Sequence, residues 1–382
     1  MEILKFTEQH EAYRKRLKAF LQKEIVPHID TWENDHLTPK SVWHKMGAAG
    51  FLCPWIAKEY GGMGADFLHS LVVNEELVLT NYTGLMVYLH SDIIVPYLDT
   101  FGTEAQKKKY LPGCVSGDII MAVAMTEPDS GSDLASLSTT AVEEGDEIVL
   151  NGSKTFISIG HTCDLVILTA KDPVVDNPHK AISLYLVEDG TPGFKRGNKI
   201  EKMGMHGSDT AELYFNNCRI PRENRLGQKG QGFVMLMQKL QQERLMVALQ
   251  SIWNAEFAVE WAIEHCRTSG QNGSRLSKSQ AVQFALAEMA SEVTIGKIFV
   301  HKLVADHMEK KNIVKETSMA KYWTSDLAKR ITGRILELIG ADGARKSCPI
   351  SRTWRDVQVN SIFAGTNEIM KTIIAKQLLK NY

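Results

Sequence analysis

The periodicity of the apolar residues changes twice along the chain, and this double change constrains the fold more than any single segment does. Residues 1–120 carry a helical period. Leu17, Phe20, Leu21 and Ile25 form an apolar stripe between charged positions, with breaks at Pro27, Pro54, Gly61-Gly62, Gly64 and Pro112-Gly113. From 121 to 230 the pattern turns short and alternating. Residues 165–169, 182–187 and 211–215 read as strands, and 146–158 reads as strand, Asn151-Gly152 turn, strand. Beyond 231, helical runs return over 233–266, 280–310, 315–340 and 367–381. Short strands at this spacing exclude a parallel doubly wound sheet, and four helices of that length call for a bundle. The expected architecture is α+β and multidomain. It has an N-terminal all-α domain (1–120), a central antiparallel β-barrel or sandwich (121–230) and a C-terminal four-helix bundle (231–382).

Composition narrows the function. A chain of 382 residues can bury several cores, and a formal net charge of −1 provides no global field for nucleic acid or an anionic membrane. No run approaches the roughly 18 apolar residues of a spanning helix, so no membrane insertion is expected. The six cysteines are scattered without CxxC pairing, which fits buried thiols in a reducing compartment. Without HExxH or a His/Cys cluster, no metal site is expected. The first residues show no apolar signal core, so the chain reads as cytoplasmic if bacterial; a processed mitochondrial form would look the same.

Four segments can carry chemistry, and each alone also has a plain structural reading. Thr126-Glu127-Pro128-Asp129-Ser130-Gly131-Ser132-Asp133 is an irregular loop whose hydroxyls and N–H groups can bond a heterocycle or a carbonyl, or a simple polar turn. In Asn151–Ser158, Phe156 and Ser158 occupy alternate strand positions and so share a face, as they would in an ordinary hairpin. Gln242-Glu243-Arg244-Leu245 offers a carboxylate among apolar neighbours, or a solvated Glu-Arg face. Ala364-Gly365-Thr366-Asn367-Glu368 opens the last helix with small residues and free N–H groups, or is only a helix entry.

As an ordered set, with Tyr60-Gly61-Gly62, Lys202-Met203-Gly204, Cys218–Pro221, Gly230–Phe233 and Ser318–Trp323, these segments resemble the acyl-CoA dehydrogenase family over nearly the whole length. Most members place a catalytic glutamate directly before Gly-Thr, where this chain has Ala364. Gln242–Leu245 matches the long-chain and isovaleryl-CoA branch, which takes its base from this second position.

The resemblance implies FAD-dependent α,β-dehydrogenation of an acyl-CoA thioester, of a long or branched chain. It implies electron-transfer flavoprotein as electron acceptor and a homotetrameric assembly. By the family pattern Glu243 is the base, with Ser132, Arg244, Ala364 and Gly365 toward the substrate. Ala364 cannot be an acid or base, but its N–H can bond the thioester oxygen. Met125, Thr126, Ser132, Phe156, Ser158, Thr366 and Glu368 would contact FAD. Arg267, Gln280 and Gly340 would hold its adenine dinucleotide across a subunit interface. Two segments depart from the pattern: 267–280 lacks a usual Phe and carries its Gln two residues late, and Glu337 stands where a Gln is usual. Taken alone, 267–280 also reads as a flexible linker. Two other readings keep the fold: dehydrogenation of a carrier-protein-bound acyl or aminoacyl thioester, and flavin binding without catalysis.

Overall fold

The computed structural model describes residues 3–271 and 274–379. The chain begins with helix Glu8–Glu24, capped by Thr7 and His10, on which Leu17, Leu21 and Ile25 are fully buried. Helix Phe67–Leu79, a π-helical turn Leu89–Ile94, helix Val95–Phe101 and helix Glu104–Ser116 complete the first helical layer. The break expected at Pro112-Gly113 does not occur, because helix Glu104–Ser116 runs through Pro112. Pro112 frees the carbonyl of Lys108, and Lys108 is exposed, so water can satisfy it.

The strands are β1 Met121–Ala124, β2 Thr140–Glu144, β3 Glu147–Ser158, β4 Leu165–Lys171, β5 Ile182–Glu188, β6 Phe194–Lys199, β7 Thr210–Pro221 and β8 Arg225–Leu226. They form one sheet in the order β6-β7-β3-β2-β4-β5-β8, with β1 on β4. Pairing is antiparallel except that β4 runs parallel to β1 and β2. Period-2 alternation divides the sheet between two cores. Leu165 and Ile167 of β4 join the helical core, while Val166, Leu168 and Ala170 face a core built by the sheet alone.

Asn151-Gly152 is not a hairpin turn. β3 is one continuous strand, and these residues form a bulge where the register against β7 shifts. Gly152 has φ 147°, and a Cβ there would lie 2.5 Å from Thr139 Oγ1. The glycine serves close strand approach, not chain reversal.

The last layer holds helices Gly232–Thr268, Gln280–Met308, Val314–Ile339 and Asn367–Leu379. Residues 243–255 of the 37-residue helix Gly232–Thr268 are buried on every side. A helix buried all round lies between layers, and this one packs on Phe67–Leu79, on the π-turn, on β5 and on its bundle partners. Among the described residues, no helix is long and apolar enough to cross a membrane.

Candidate active site

Glu243 sits at the start of that fully buried stretch, only 3% exposed. The hydroxyl of Tyr97, itself wholly buried, donates to Glu243 Oε1 at 2.6 Å. Burial pushes the Glu243 carboxyl up from its ordinary value, against the Tyr97 hydrogen bond and the charges of Arg244 and Lys239. A carboxyl desolvated in this way is a stronger base than one in water. The exposed Glu-Arg reading is therefore excluded for this pair. Sequence reasoning had no signal for Tyr97, which lies 146 residues away.

Arg244 is also buried, and its Nε has no hydrogen-bond partner among the described residues. A buried N–H without an acceptor is costly, so this one is available to a ligand oxygen. Beside Arg244 is Lys321, fully buried, whose ammonium burial and Arg244 pull down to about 7. Lys321 Nζ donates to the Gly365 carbonyl at 2.7 Å and to Asn367 Oδ1 at 3.2 Å. Lys321 thus ties the loop before the last helix to helix Val314–Ile339. Asn367 also donates to Asp326 at 2.9 Å and Ser325 at 3.0 Å, while Thr366 Oγ1 accepts the Ile369 N–H at 3.3 Å. Ala364 is half-buried with φ 54°, and Gly365 follows at φ 91°. Two successive left-handed residues turn the chain sharply and leave its N–H groups at the start of the final helix. Glu368 is exposed.

The Met125–Asp133 loop leaves β1 and is anchored by a buried ion pair. Lys154 Nζ lies 2.8 Å from Glu127 Oε1 and also donates to the Met125 carbonyl and to Thr169 Oγ1, each at 3.0 Å. Glu127 accepts further bonds from Ser138 and Thr139. Burial pushes the Glu127 carboxyl up, but Lys154 and these donors outweigh it and hold it down at about 2. The Thr155 N–H then donates to the Thr126 carbonyl at 2.9 Å, which joins the two segments singled out in the sequence.

Phe156 follows with φ 56° at the second bulge of β3, and its ring is 65% exposed. Phe156 and Ser158 flank the buried Ile157, as alternation requires, although the bulge displaces them from regular pleating. Ser132 is exposed at the loop surface. An uncovered aromatic ring beside the Thr126–Thr155 junction fits a planar heterocycle such as a flavin ring.

Arg267, Gln280 and Gly340 are all exposed and are not brought to this centre. Arg267 is 24 residues beyond Glu243 on the same helix, about 36 Å along its axis at the α-helical rise. Gln280 begins the next helix, and Gly340, with φ 63°, lies in the turn after helix Val314–Ile339. His265 and Asp342, 3.8 Å apart, set that turn against the end of the long helix. Asn272 and Gly273 of this segment lie outside the described residues.

His10, Asp66 and His69 cluster with the spacing of metal ligands. However, His10 Nδ1 accepts the Thr7 N–H at 2.9 Å, so in the neutral ring Nε2 carries the hydrogen and donates it to Asp66 at 2.9 Å. The cluster is a helix cap, with no nitrogen of His10 free to ligate.

Comparison with known proteins agrees with this layout. Profiles for the acyl-CoA dehydrogenase N-terminal, middle and C-terminal domains match residues 7–118, 122–218 and 230–379. The chain is 39% identical to the mitochondrial long-chain specific acyl-CoA dehydrogenase of Mus musculus, covering 98% of this chain and 88% of that protein. It is 36% identical to an acyl-CoA dehydrogenase of Bacillus subtilis, covering 98% of each. The crystal structure of an acyl-CoA dehydrogenase from Geobacillus kaustophilus superposes with TM-score 0.96 at 48% identity, covering 98% of both chains.

Proposed function

The chain belongs to the acyl-CoA dehydrogenase family, as an oxidoreductase, and from that membership we propose that Glu243 removes the α-proton of an acyl-CoA to give the trans-2-enoyl thioester. The observation that carries this reading is the burial of Glu243 against Tyr97, with its carboxyl pushed up by desolvation. A base for a carbon-bound proton needs such an environment, and Ala364 supplies no competing carboxyl. The Ala364 N–H donates to the thioester oxygen and stabilises the charge that gathers there as the α-proton leaves. Arg244, with its unpartnered Nε, helps hold the CoA end of the ligand.

FAD, when bound, supplies the acceptor for the hydrogen that leaves the β-carbon with its electron pair. Met125, Thr126, Phe156 and Ser158 hold its ring, Phe156 by stacking, with Ser132 near its phosphates or the thioester. Thr366 and Glu368 border it from the last helix. Arg267, Gln280 and Gly340 serve the FAD of a neighbouring subunit, a reading supported by their distance from Glu243, and the assembly is a homotetramer. Electron-transfer flavoprotein takes the electrons onward. A long or branched acyl chain is supported by Gln242–Leu245 and by the likeness to the long-chain enzyme.

The test is anaerobic mixing of the FAD-loaded protein with acyl-CoA, following loss of the flavin's visible absorbance. Wild type should bleach. Glu243→Gln should keep FAD and bind thioester but bleach slower by on the order of 10² to 10⁴. Bleaching of Glu243→Gln at the wild-type rate would show that the base lies elsewhere.

A further inference from the structure

Glu243 has two carboxylate oxygens, and the fold treats them differently. Oε1 accepts the Tyr97 hydroxyl at 2.6 Å, whereas Oε2 accepts no hydrogen bond among the described residues. Tyr97 itself has no freedom to swing away. It is 0% exposed on helix Val95–Phe101, directly after the π-helical turn Leu89–Ile94. One extra residue in a turn rotates everything that follows by about 100° around the helix axis. The π-turn is itself fixed, since His90 accepts the Met121 N–H at 3.1 Å and lies 3.0 Å from the Cys114 carbonyl. Gln242 Nε2 donates to the Asp92 carbonyl at 2.6 Å, which locks the long helix to the same turn one residue before the base.

We propose that Tyr97 is a positioning residue for the base: its hydroxyl holds Oε1, fixes the carboxylate in one rotamer and leaves Oε2 as the oxygen that takes the α-proton. The proposal rests on the reading of Glu243 as base. A hydrogen bond to the charged form also favours that form, so Tyr97 limits how far burial can protonate Glu243. The charged and titratable groups acting on Glu243 are few. They are Tyr97 from the facing helix, and Arg244 and Lys239 from its own. Asp99 acts on Lys239 and Lys321 acts on Arg244, while Asp92 turns its carboxyl to Asn74, 2.8 Å away. Tyr97 is the only one of the three direct partners that hydrogen-bonds the carboxylate among the described residues, so its removal has a distinct signature.

The experiment is the pH profile of anaerobic flavin reduction by acyl-CoA, measured on FAD-loaded wild type, Tyr97→Phe and Glu243→Gln. A fourth protein carries a ring-fluorinated tyrosine at position 97, whose more acidic hydroxyl is a stronger donor at nearly the same size. Tyr97→Phe should move the acid limb of the profile up by about one pH unit, the effect of losing one hydrogen bond to a charged group. The fluorinated residue should move it down. Folding is monitored by Tm, and a purely packing role would change Tm and leave the limb in place. An unmoved limb in both Tyr97 variants, with Glu243→Gln still slowed by the expected factor, overturns the role of Tyr97 alone. Normal bleaching by Glu243→Gln overturns the base assignment and this proposal with it.

Discussion

Replacing Lys154 with Met removes the cation that fixes the Met125–Asp133 loop while keeping most of the side chain's volume. Lys154 is 0% exposed and Glu127 is 3% exposed, so the pair is fully inside the sheet layer. Three hydrogen bonds disappear, to the Met125 carbonyl, Glu127 Oε1 and Thr169 Oγ1. Breaking a buried pair from one side typically costs 3–5 kcal/mol, because the remaining charge is left uncompensated. Glu127 keeps its bonds from the Ser138 N–H and hydroxyl and from the Thr139 N–H, which places this case near the lower end, about 3 kcal/mol. For a chain of 382 residues, at about 2.1 cal/mol/K of unfolding entropy per residue, that is a fall in Tm of roughly 4 °C, read by circular dichroism.

The deficit must also depend on pH. Glu127 is held down at about 2 in the folded protein, against about 4.3 when unfolded, so its contribution is full above pH 4.3 and lost as pH falls toward 2. The gap between wild type and Lys154→Met should therefore be complete at pH 7 and narrow below about pH 4. Glu127→Gln combined with Lys154→Met should recover more than half of the loss, since neither side chain is then charged. FAD retention should fall with Lys154→Met, because the Met125 carbonyl and the loop after it lose their anchor. A deficit below about 1 kcal/mol, or one unchanged between pH 7 and pH 3, would refute the reasoning.

Glu243→Gln should be more stable than wild type at neutral pH, by on the order of 1 kcal/mol, because a carboxyl raised by burial costs stability once pH rises above its unfolded value. Comparing Tm at pH 7.5 and pH 4 tests this, with the gain expected only at the higher pH. Ala364→Gly should raise stability by about 0.5 kcal/mol, as relief of a left-handed alanine slightly exceeds the added chain entropy; denaturant midpoints measure it. His90 is buried neutral, pulled by desolvation from 6.5 down to about 4, so its share of stability is present above pH 6.5 and lost as pH falls toward 4. The stability advantage of wild type over His90→Gln should thus shrink by about 3 kcal/mol across that interval in pH-resolved unfolding.

Periodicity alone determined the helix, sheet, helix order, because each change of period marks which face a segment must bury. The ordered motifs also marked Thr126, Phe156, Glu243 and Thr366, since their residue types carry recognisable chemistry. The tertiary structure decided their surroundings: it joins the Thr126 and Phe156 segments through the Thr155 N–H and encloses Glu243 against Tyr97. Asn151-Gly152 carries a hairpin signature, yet β7 pairs with both halves of β3 and turns it into a bulge. Pro112 carries a helix-stop signature, yet the orphaned carbonyl faces solvent and the helix continues. Glu243-Arg244 reads as a surface ion pair until helices and sheet close around it from layers far apart in sequence. Tyr97 has no local signature, and Lys321, Lys154 and Glu127, though inside marked segments, give no local sign of their pairing, because a desolvated hydrogen bond or charge pair exists only once distant segments have excluded water together. Local sequence specifies what each segment can bury, whereas the basicity of a carboxylate depends on everything packed around it.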